Sequence, residues 1–548
     1  MTTTPQDQAE QIKTDPGHGT APGDLAGAPH GPAPAVPPPA LLLAGLLLGV
    51  IGDLLLRGSG PPGLNMFLWL AAVAGAALVL RRRGGVRPDR ERVVWLALGV
   101  AFAAGLAWRD SPSLKLLALG SATLGFALAA YRPAAAWVRR AEVFRYARAW
   151  ATGALHAWTA AARTLLETNR VAKPGAGRSA GRRRAAGVAR GLLMAAPLLV
   201  VFGALFMSAD AVFEDLVLNV VRLDFELIGS HLLLFAVSAW LATGYLHGFL
   251  AGTELPPLRD LGRDGALLGL LPRRPTLSLT EVATALAALD LLFLLFVVVQ
   301  FRYLFGGDTL VQVTPDLTYA EYARRGFFEL VAAVVLVVPV LLAADWLLER
   351  RARRDDLVFR ALAGAQIALV IAITASAFQR LRLYHAGYGL TESRFYAMVL
   401  LIWIGAMLLW LAATVLRGRR DAFAFGALAS GLATAALLFV LSPDAIVART
   451  NVARMATAES RERFDVAYAT SLSADAVPVL LEALPALPAD VQCPLARHML
   501  RRWSPEQEST LRAWSWSAAR ARRAVREQAE RRRGMVVPDQ ECPAPGPG

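Results

Sequence analysis

Two stretches of the sequence, residues 300–330 and 379–396, combine Arg, Tyr and Gly between long apolar runs. An Arg guanidinium binds a phosphate or a carboxylate through paired hydrogen bonds, and Tyr is favoured at the level of lipid headgroups. We therefore predict a binding site for an anionic lipid or polymer headgroup. The candidate ligand-binding residues are Arg302, Tyr319, Tyr322, Arg324, Arg325, Arg380, Arg382, Tyr384, Tyr388 and Arg394.

The same arginines have a purely structural alternative. Glu321, Glu329 and Glu392 lie in or beside the two stretches, and ion pairs with them would lock the two loops together. In that interpretation the arginines hold the protein together and bind no ligand. The sequence leaves both interpretations open.

A second candidate site lies inside an apolar run. Asp290 falls near the middle of the run 280–301, at a depth where a carboxylate is costly unless it is protonated, paired or facing a polar cavity. Gln366 lies at a similar depth in another run, and we expect the two side chains to hydrogen-bond. Such a pair is either part of a proton or cation relay or an interhelical contact that fixes packing.

No sequence motif indicates an enzyme, and we predict no catalytic residue, cofactor or metal. The sequence contains no HExxH, Walker or CxxC pattern, and its seven His have no metal-ligand spacing. The two cysteines, Cys493 and Cys542, are far apart in the C-terminal part of the chain, so they form no zinc motif. Asp210 and Glu214 are spaced to share a helical face and to bind calcium, but a solvated acidic loop is the preferred interpretation.

Long apolar runs position these residues. Hydrophobic residues make up 55% of the 548, and they form continuous runs of roughly 17–24 residues, which span the bilayer core as helices. We predict an all-α polytopic transmembrane helical bundle of about eleven spans, followed by a small extracytoplasmic helical tail. The predicted spans are 39–56, 64–80, 93–108, 114–131, 190–208, 227–250, 280–301, 327–348, 357–378, 395–416 and 422–441.

The distribution of Lys and Arg predicts the orientation. Cytoplasmic connections are enriched in Lys and Arg. The even-numbered connections between predicted spans contain thirty of these residues and the odd-numbered connections contain ten. We therefore place the N-terminus in the cytoplasm and the C-terminal tail outside. The formal charge of +14 follows from these loop residues, so it does not indicate nucleic-acid binding.

The chain divides into five predicted parts. Residues 1–38 form a disordered Pro/Ala-rich leader, 39–131 a four-span membrane region, 132–189 a basic cytoplasmic loop, 190–441 a seven-span core, and 442–548 the soluble helical tail, disordered at its end. Within the basic loop, apolar residues from Trp137 to Leu165 fall near one face of a helix, which predicts a helix lying at the membrane interface. In the tail, we expect helices within 461–485 and 505–533, with Asp475 as a cap and Pro478 in a first turn.

Several segments resemble a family of bacterial multi-pass membrane proteins labelled as a domain of unknown function, the 4153/4173 group. The similar segments are QFRYLFGG (300–307), LTYAEYARRGFFEL (317–330), RLYHAGYGLTESRFY (382–396), PDAIVARTNVAR (443–454) and RFDVAYATSLSADAVPVL (463–480). The resemblance covers about residues 190–485. It implies a polytopic protein of the bacterial inner membrane and no established activity.

Three functions are consistent with the sequence. The favoured one is a non-enzymatic envelope protein whose partners are the lipid bilayer and an anionic headgroup bound at the outer Arg/Tyr loops. The first alternative is a proton-coupled transporter or flippase that uses Asp290. The second is a membrane scaffold or sensor acting through the cytoplasmic loop and the tail, with protein partners that the sequence does not identify.

Overall fold

The structure of the protein is a computed structural model, and it describes residues 36–57, 61–85, 89–130, 143–171, 225–251, 277–305, 327–455, 464–503 and 513–531, with the single positions 195 and 210. In these ranges the secondary structure is helical apart from one isolated parallel bridge between Leu277 and Leu348. Among the described residues, the membrane part contains eleven helices: α1 Pro38–Leu56, α2 Leu64–Arg83, α3 Arg90–Trp108, α4 Pro112–Ala130, α5 Val143–Val171, α6 Phe225–Ala251, α7 Leu279–Phe305, α8 Phe327–Leu347, α9 Arg353–Tyr388, α10 Glu392–Thr414 and α11 Arg420–Leu441.

All of these helices except α5 are long and apolar enough to cross a membrane, which gives ten candidate spans among the described residues. They correspond to ten of the eleven predicted spans, so the predicted all-α polytopic bundle is confirmed. The remaining predicted span, 190–208, lies outside the described residues. So do the leader up to residue 35, most of the stretch 300–330, and the end of the chain after residue 531.

Helix α9 is much longer than predicted. It continues through residues 379–388, which we had assigned to an outer loop, and ends only at Tyr388. The sequence of this extension, QRLRLYHAGY, contains mostly good helix formers, so the drop in hydropathy marks the membrane boundary and does not end the helix. At a rise of 1.5 Å per residue, 36 residues reach about 54 Å, well beyond the roughly 30 Å hydrocarbon core.

The membrane helices form two packed groups. In the first, buried side chains of α1–α6 and α11 share one apolar core. In the second, α7–α10 share another, which also takes in Phe423 of α11. Tyr396 and Val399 of α10 pack against the first core, although α10 belongs to the second. Helices α10 and α11 therefore join the two groups.

Glycines allow close contact between helix backbones in the first group. Gly99 of α3 and Gly125 of α4 face each other, and a Cβ atom on Gly125 would lie 2.7 Å from the Cα of Gly99 and 2.9 Å from the carbonyl oxygen of Trp95. Similarly, Gly244 of α6 lies against the backbone of Ala157 in α5.

The predicted interfacial segment contains a helix, α5, which packs against α4 and α6. The Trp240 indole of α6 donates a hydrogen bond to the carbonyl oxygen of Trp158 at 2.8 Å. Small residues, including Ala160 and Ala161, are buried, whereas the large apolar side chains of Leu155 and Trp158 are more than half exposed. One face of α5 therefore packs on the bundle and the large apolar residues face outward. Trp137, at the start of the predicted stripe, lies outside the described residues.

The tail forms a separate core from five short helices: α12 Pro443–Arg454, α13 Val466–Ser471, α14 Val477–Ala483, α15 Ala489–Arg502 and α16 Trp516–Arg531. The predicted helix 461–485 is divided into α13 and α14. Pro478 lies in the first turn of α14, as predicted, but the cap residue is Ala476. The assignment of Asp475 as the cap is therefore wrong, because its carboxylate forms an ion pair with the membrane part instead.

Gly125→Ala tests the close contact between α3 and α4. We expect it to lower the free energy of unfolding by about 1–3 kcal/mol, because the added methyl group meets backbone atoms that cannot move independently. Gly120→Ala, in the same helix, is the matched control, since a Cβ there has no atom within 4 Å and Ala favours the helix by up to about 1 kcal/mol. Thermal unfolding in detergent measures both. Equal melting temperatures for the two variants would contradict the contact.

Candidate functional site

The candidate site is the turn that connects α9 to α10, where the tail meets the membrane part. Helix α9 ends because Gly389 adopts a positive φ of 80°, which glycine tolerates and other residues rarely adopt. The backbone N–H of Gly389 donates to the carbonyl oxygen of His385 at 3.0 Å. Leu390, the next residue, is buried in the core of the tail. The tail core thus includes a side chain from the membrane part.

Arg394 contacts two of the other predicted ligand-binding residues, Tyr384 and Tyr388, through interactions within the protein. Its Nη1 donates to the carbonyl oxygens of Gly389 at 2.5 Å and Tyr388 at 3.3 Å. Its guanidinium carbon lies 4.0 Å from the ring centroid of Tyr384, and the Tyr384 and Tyr388 rings are 5.2 Å apart. Arg394 therefore fits the interpretation in which the arginines hold the protein together. Its partners, however, are carbonyl oxygens and an aromatic ring and not the predicted glutamates.

The other predicted residues of this stretch lie on the last turns of α9. Arg382 is exposed, Arg380 is half-buried, and Tyr388 is 48% exposed. Arg302 belongs to helix α7, so it is not in a loop as predicted. The placement of the Arg302 side chain, and of the residues Tyr319, Tyr322, Arg324 and Arg325, lies outside what the structure describes. The structure thus brings Tyr384, Tyr388 and Arg394 together and says nothing of the other loop.

Two residues of tail helix α12 complete the turn, and sequence reasoning missed both. The Asn451 side chain accepts a hydrogen bond from the Leu390 N–H at 2.8 Å and donates to the Leu390 carbonyl oxygen at 2.7 Å. Arg454 Nη1 donates to the carbonyl oxygen of His385 at 2.6 Å. Arg454 thus gives the His385 carbonyl oxygen, which already accepts from the Gly389 N–H, a second donor from outside the helix. The segment 443–454 is one of those that resemble the family, and this resemblance was the signal in the sequence that could have identified Asn451 and Arg454.

A small cavity of about 60 Å³ lies beside this turn. Tyr388 and Gly389 form one wall, and residues of the tail form the rest: Ala448, Asn451, Arg454, Phe464, Asp465, Ala469, Leu472 and Leu480. The polar groups of this lining are those of a guanidinium, an amide, a phenol and a carboxylate. A volume of this size admits waters or one small polar group.

A second set of contacts joins the tail to the connection between α3 and α4. Arg109 and Asp475 form an ion pair of 2.7 Å, in which the Asp475 side chain is only 3% exposed. Arg109 Nε also donates to the carbonyl oxygen of Phe439 at 2.7 Å, and Ser517 Oγ donates to Asp475 Oδ1 at 2.5 Å. Loss of one member of such a buried pair leaves an uncompensated charge and costs about 3–5 kcal/mol. This set therefore fixes the tail against α3 and α11.

A third set surrounds Asp444, in the first turn of α12. Asp444 is 1% exposed, and its Oδ2 accepts a hydrogen bond from the Ser473 N–H at 3.1 Å. The pKa of Asp444 is raised from 3.8 to about 6, chiefly by burial; the Glu392 and Asp475 carboxylates contribute to the increase, and hydrogen bonds from Ser473 oppose it. Glu392 is held in turn by Tyr468, whose hydroxyl oxygen accepts a hydrogen bond from the Glu392 N–H at 2.6 Å.

The intramembrane pair differs from its prediction. Among the described residues, no carboxylate oxygen of Asp290 and no amide atom of Gln366 has a hydrogen-bond partner, so the predicted bond between them is absent. Gln366 is buried within α9. Asp290 lines an open groove between α7 and α9 of about 460 Å³, whose other walls are apolar: Leu291, Leu294, Ala365, Ala368 and Leu369.

In the part of the chain that the structure describes, few other groups could bind a metal or react. No group of three His, Cys, Asp or Glu side chains there has the arrangement of a metal site. Cys493 is disulfide-bonded. The sequence contains only one other cysteine, Cys542, which lies outside the described ranges.

Comparison with known proteins gives one match. A family model described as a domain of unknown function (DUF4153) matches residues 96–483. The match begins within α3 and ends at the last residue of α14, so it includes the tail contacts around Asn451 and Asp444. It extends further toward the N-terminus than the resemblance seen in the sequence. No curated protein and no solved structure matches the chain.

Proposed function

The chain belongs to the DUF4153 family of domains of unknown function, and we propose that this integral membrane protein binds an anionic lipid or polymer headgroup at its outer face without acting as an enzyme. The observation that carries this proposal is the extension of α9 through residues 379–388. It continues a membrane-spanning helix into the headgroup region and presents Arg and Tyr side chains there.

Arg382 and Tyr388 are the exposed members of this extension. An exposed guanidinium at the membrane surface attracts anionic groups, and a Tyr ring is stable at the same depth. Arg394 and Arg454 hold the end of α9 in place, so we assign them positioning roles in the proposed site. The small cavity beside Tyr388 is suited to one polar group of a headgroup.

Arg382→Ala tests this proposal. We expect the amount of anionic lipid that co-purifies with the protein to fall about tenfold, because a charge-assisted hydrogen bond contributes about 1.5–3 kcal/mol. Lipid mass spectrometry of the protein in mild detergent gives the measurement. Arg449→Ala is the matched control, since Arg449 is an exposed Arg on tail helix α12 and lies outside the proposed site. Unchanged lipid in both Arg382→Ala and Arg325→Ala would reject the proposal.

The directions of the helices support the proposed orientation. Helix α1 runs antiparallel to α6, since Gly49 lies against Ala239 and Asp53 Oδ2 lies 2.6 Å from His231 Nδ1. Near the end of α4, the Phe126 ring lies 5.3 Å from that of Tyr245, near the end of α6. Helices α4 and α6 therefore end on the same side of the membrane. The chain leaves α4 on one side and enters α6 from the other, as a predicted span at 190–208 requires.

The positions of charged residues and of the tail also support this orientation. The short connections that carry Arg350–Arg354 and Arg417–Arg420 lie on the side opposite the tail, which agrees with cytoplasmic loops. The tail contacts the connections after α3 and α9. A disulfide at Cys493 is typical of an oxidising compartment outside the cytoplasm. We therefore propose a bacterial inner-membrane location with a cytoplasmic N-terminus and an extracytoplasmic tail.

Labelling of the two cysteines tests the orientation. Intact cells are treated with a reductant and then with a membrane-impermeant maleimide, and mass spectrometry reports on Cys493 and Cys542. We expect labelling of both without permeabilisation, because the tail lies outside. Omitting the reductant is the control, and it should prevent labelling because Cys493 is disulfide-bonded. Labelling only after permeabilisation would reverse the topology and place the proposed headgroup site in the cytoplasm.

A specific observation supports a second function, a proton-coupled transporter or flippase that uses Asp290. The carboxylate oxygens of Asp290 are buried without hydrogen-bond partners at the wall of a groove that opens toward the lipid. Groups of this kind inside membranes are rare and mark proton or ion pathways.

Asp290→Asn tests the transporter. Under this hypothesis, proton flux into proteoliposomes, followed with an enclosed pH-sensitive dye under an imposed gradient, falls to the level of empty vesicles. Asp290→Glu keeps the titratable group and should retain flux. Equal flux in the wild-type and Asp290→Asn proteins would reject this function and leave the headgroup site unaffected.

A further inference from the structure

We propose that the joint between the tail and the membrane bundle is stabilised by acid, and that Asp444 takes up the proton responsible. The joint comprises the contacts of α12 and of the turn 473–475 with the ends of α10 and α11. This inference is independent of the proposed headgroup site, since it concerns how the tail is held to the bundle.

The position of Asp444 carries the proposal. Asp444 lies two residues after Ser442, at the point where the chain passes from membrane helix α11 into tail helix α12. Its side chain is 1% exposed, and one oxygen is satisfied by the Ser473 N–H. The other oxygen, Oδ1, is buried and has no hydrogen-bond partner in the described part of the chain. A charged carboxylate in this position is costly, and a neutral one is much less so.

The titratable groups that face Asp444 are predominantly acidic. Helix α10 contributes Glu392 and Tyr396, the turn before α14 contributes Asp475, and α13 contributes Tyr468. Two carboxylates therefore lie near a third that is buried, and like charges disfavour its ionisation.

The nearby positive charges are bound to other partners. Arg109 pairs with Asp475 and with carbonyl oxygens at the end of α11. Arg394 lies against the Tyr384 ring and binds the turn after α9. Lys115 pairs with Asp110 at 2.9 Å. None of these contacts involves Asp444, whose burial is therefore compensated chiefly by Ser473.

The direction of the pH dependence follows from linkage. The pKa of Asp444 is raised in the docked tail from 3.8 to about 6, chiefly by burial. A carboxyl with a raised pKa is protonated preferentially in the docked state, so its contribution is complete below pH 3.8 and is lost as the pH rises through 6. Between pH 5 and pH 7.5 this predicts a docking equilibrium about tenfold more favourable at the lower pH.

Hydrogen exchange of the full-length protein tests the proposal. The protein is reconstituted in nanodiscs of phosphatidylcholine, whose headgroup does not titrate in this range. Exchange of peptides covering 443–455 and 466–487 is followed by mass spectrometry from pH 5 to 7.5 and corrected for the intrinsic pH dependence of exchange. We expect the protection of these peptides in the wild-type protein to fall about tenfold across the range and to level off above about pH 6, the midpoint of the Asp444 titration in the docked state.

Asp444→Asn keeps the shape of the side chain and removes the charge. It should give protection that is independent of pH and at least as great as that of the wild-type protein at pH 5, because the amide is neutral in both the docked and the undocked state. Glu482→Gln is the matched control, because Glu482 is an exposed carboxylate on tail helix α14 that lies outside the joint and the cavity lining, and this variant should behave like the wild-type protein. Glu392→Gln removes a neighbouring charge and should move the midpoint to lower pH.

Three outcomes would overturn the proposal. One is wild-type protection of the two tail segments that does not change with pH, and another is protection that decreases in acid. The third is a pH dependence that persists in Asp444→Asn, which would assign the proton to another group. If Asp444→Asn does not fold, Glu392→Gln provides the same test. An unchanged titration midpoint in Glu392→Gln would also overturn the proposal, because removing a carboxylate beside Asp444 must lower the pKa of Asp444.

Discussion

The carbonyl groups at the C-terminal ends of the membrane helices impose the constraint on which this structure depends. A helix leaves its last carbonyls without partners, and lipid supplies none. Here arginines from other elements bind them repeatedly. Arg92 donates a hydrogen bond to the carbonyl oxygen of Phe249 at the end of α6, and Arg109 donates to those of Phe439 and Val440 at the end of α11. Arg350 donates to the carbonyl oxygen of Asp345 in α8. At the end of α9, Arg394 donates to the carbonyl oxygen of Tyr388 and Arg454 to that of His385. A cation at this end of a helix also complements the helix dipole.

This use of arginine changes how the candidate headgroup site is understood. A guanidinium that already donates to backbone carbonyls contributes less to a ligand, so Arg394 and Arg454 position the end of α9. The exposed part of α9 around Arg382 is then the surface where an anionic group would first meet the protein. The same contacts make the turn at Gly389 rigid, because its backbone is bound from α10 on one side and from α12 on the other.

Helix α9 links the two faces of the molecule. Its C-terminal end is held by the tail through Asn451 and Arg454. At its other end, Asp356 in its first turn binds Arg350, which also binds Asp345 of α8. A rearrangement of the tail at the joint around Asp444 would therefore act on a helix that reaches the opposite side of the bundle. This continuous helix provides a physical connection for the scaffold or sensor hypothesis. The joint around Asp444 is the part of that connection that pH can influence.

The sequence by itself determined the helices, because an apolar run about twenty residues long is a local property with one solution in lipid. It also placed Tyr384, Tyr388 and Arg394 within one short stretch, 379–396, among ten candidate residues in two stretches. It misplaced the end of α9, because a fall in hydropathy marks a membrane boundary and not a helix end, which the conformation of Gly389 sets. Tertiary structure alone decided which charges meet. Arg109 and Asp475 are 366 positions apart, and Asn451 binds Leu390 from another part of the fold. No local pattern encodes such pairs, because they arise only when the tail folds onto the ends of the membrane helices.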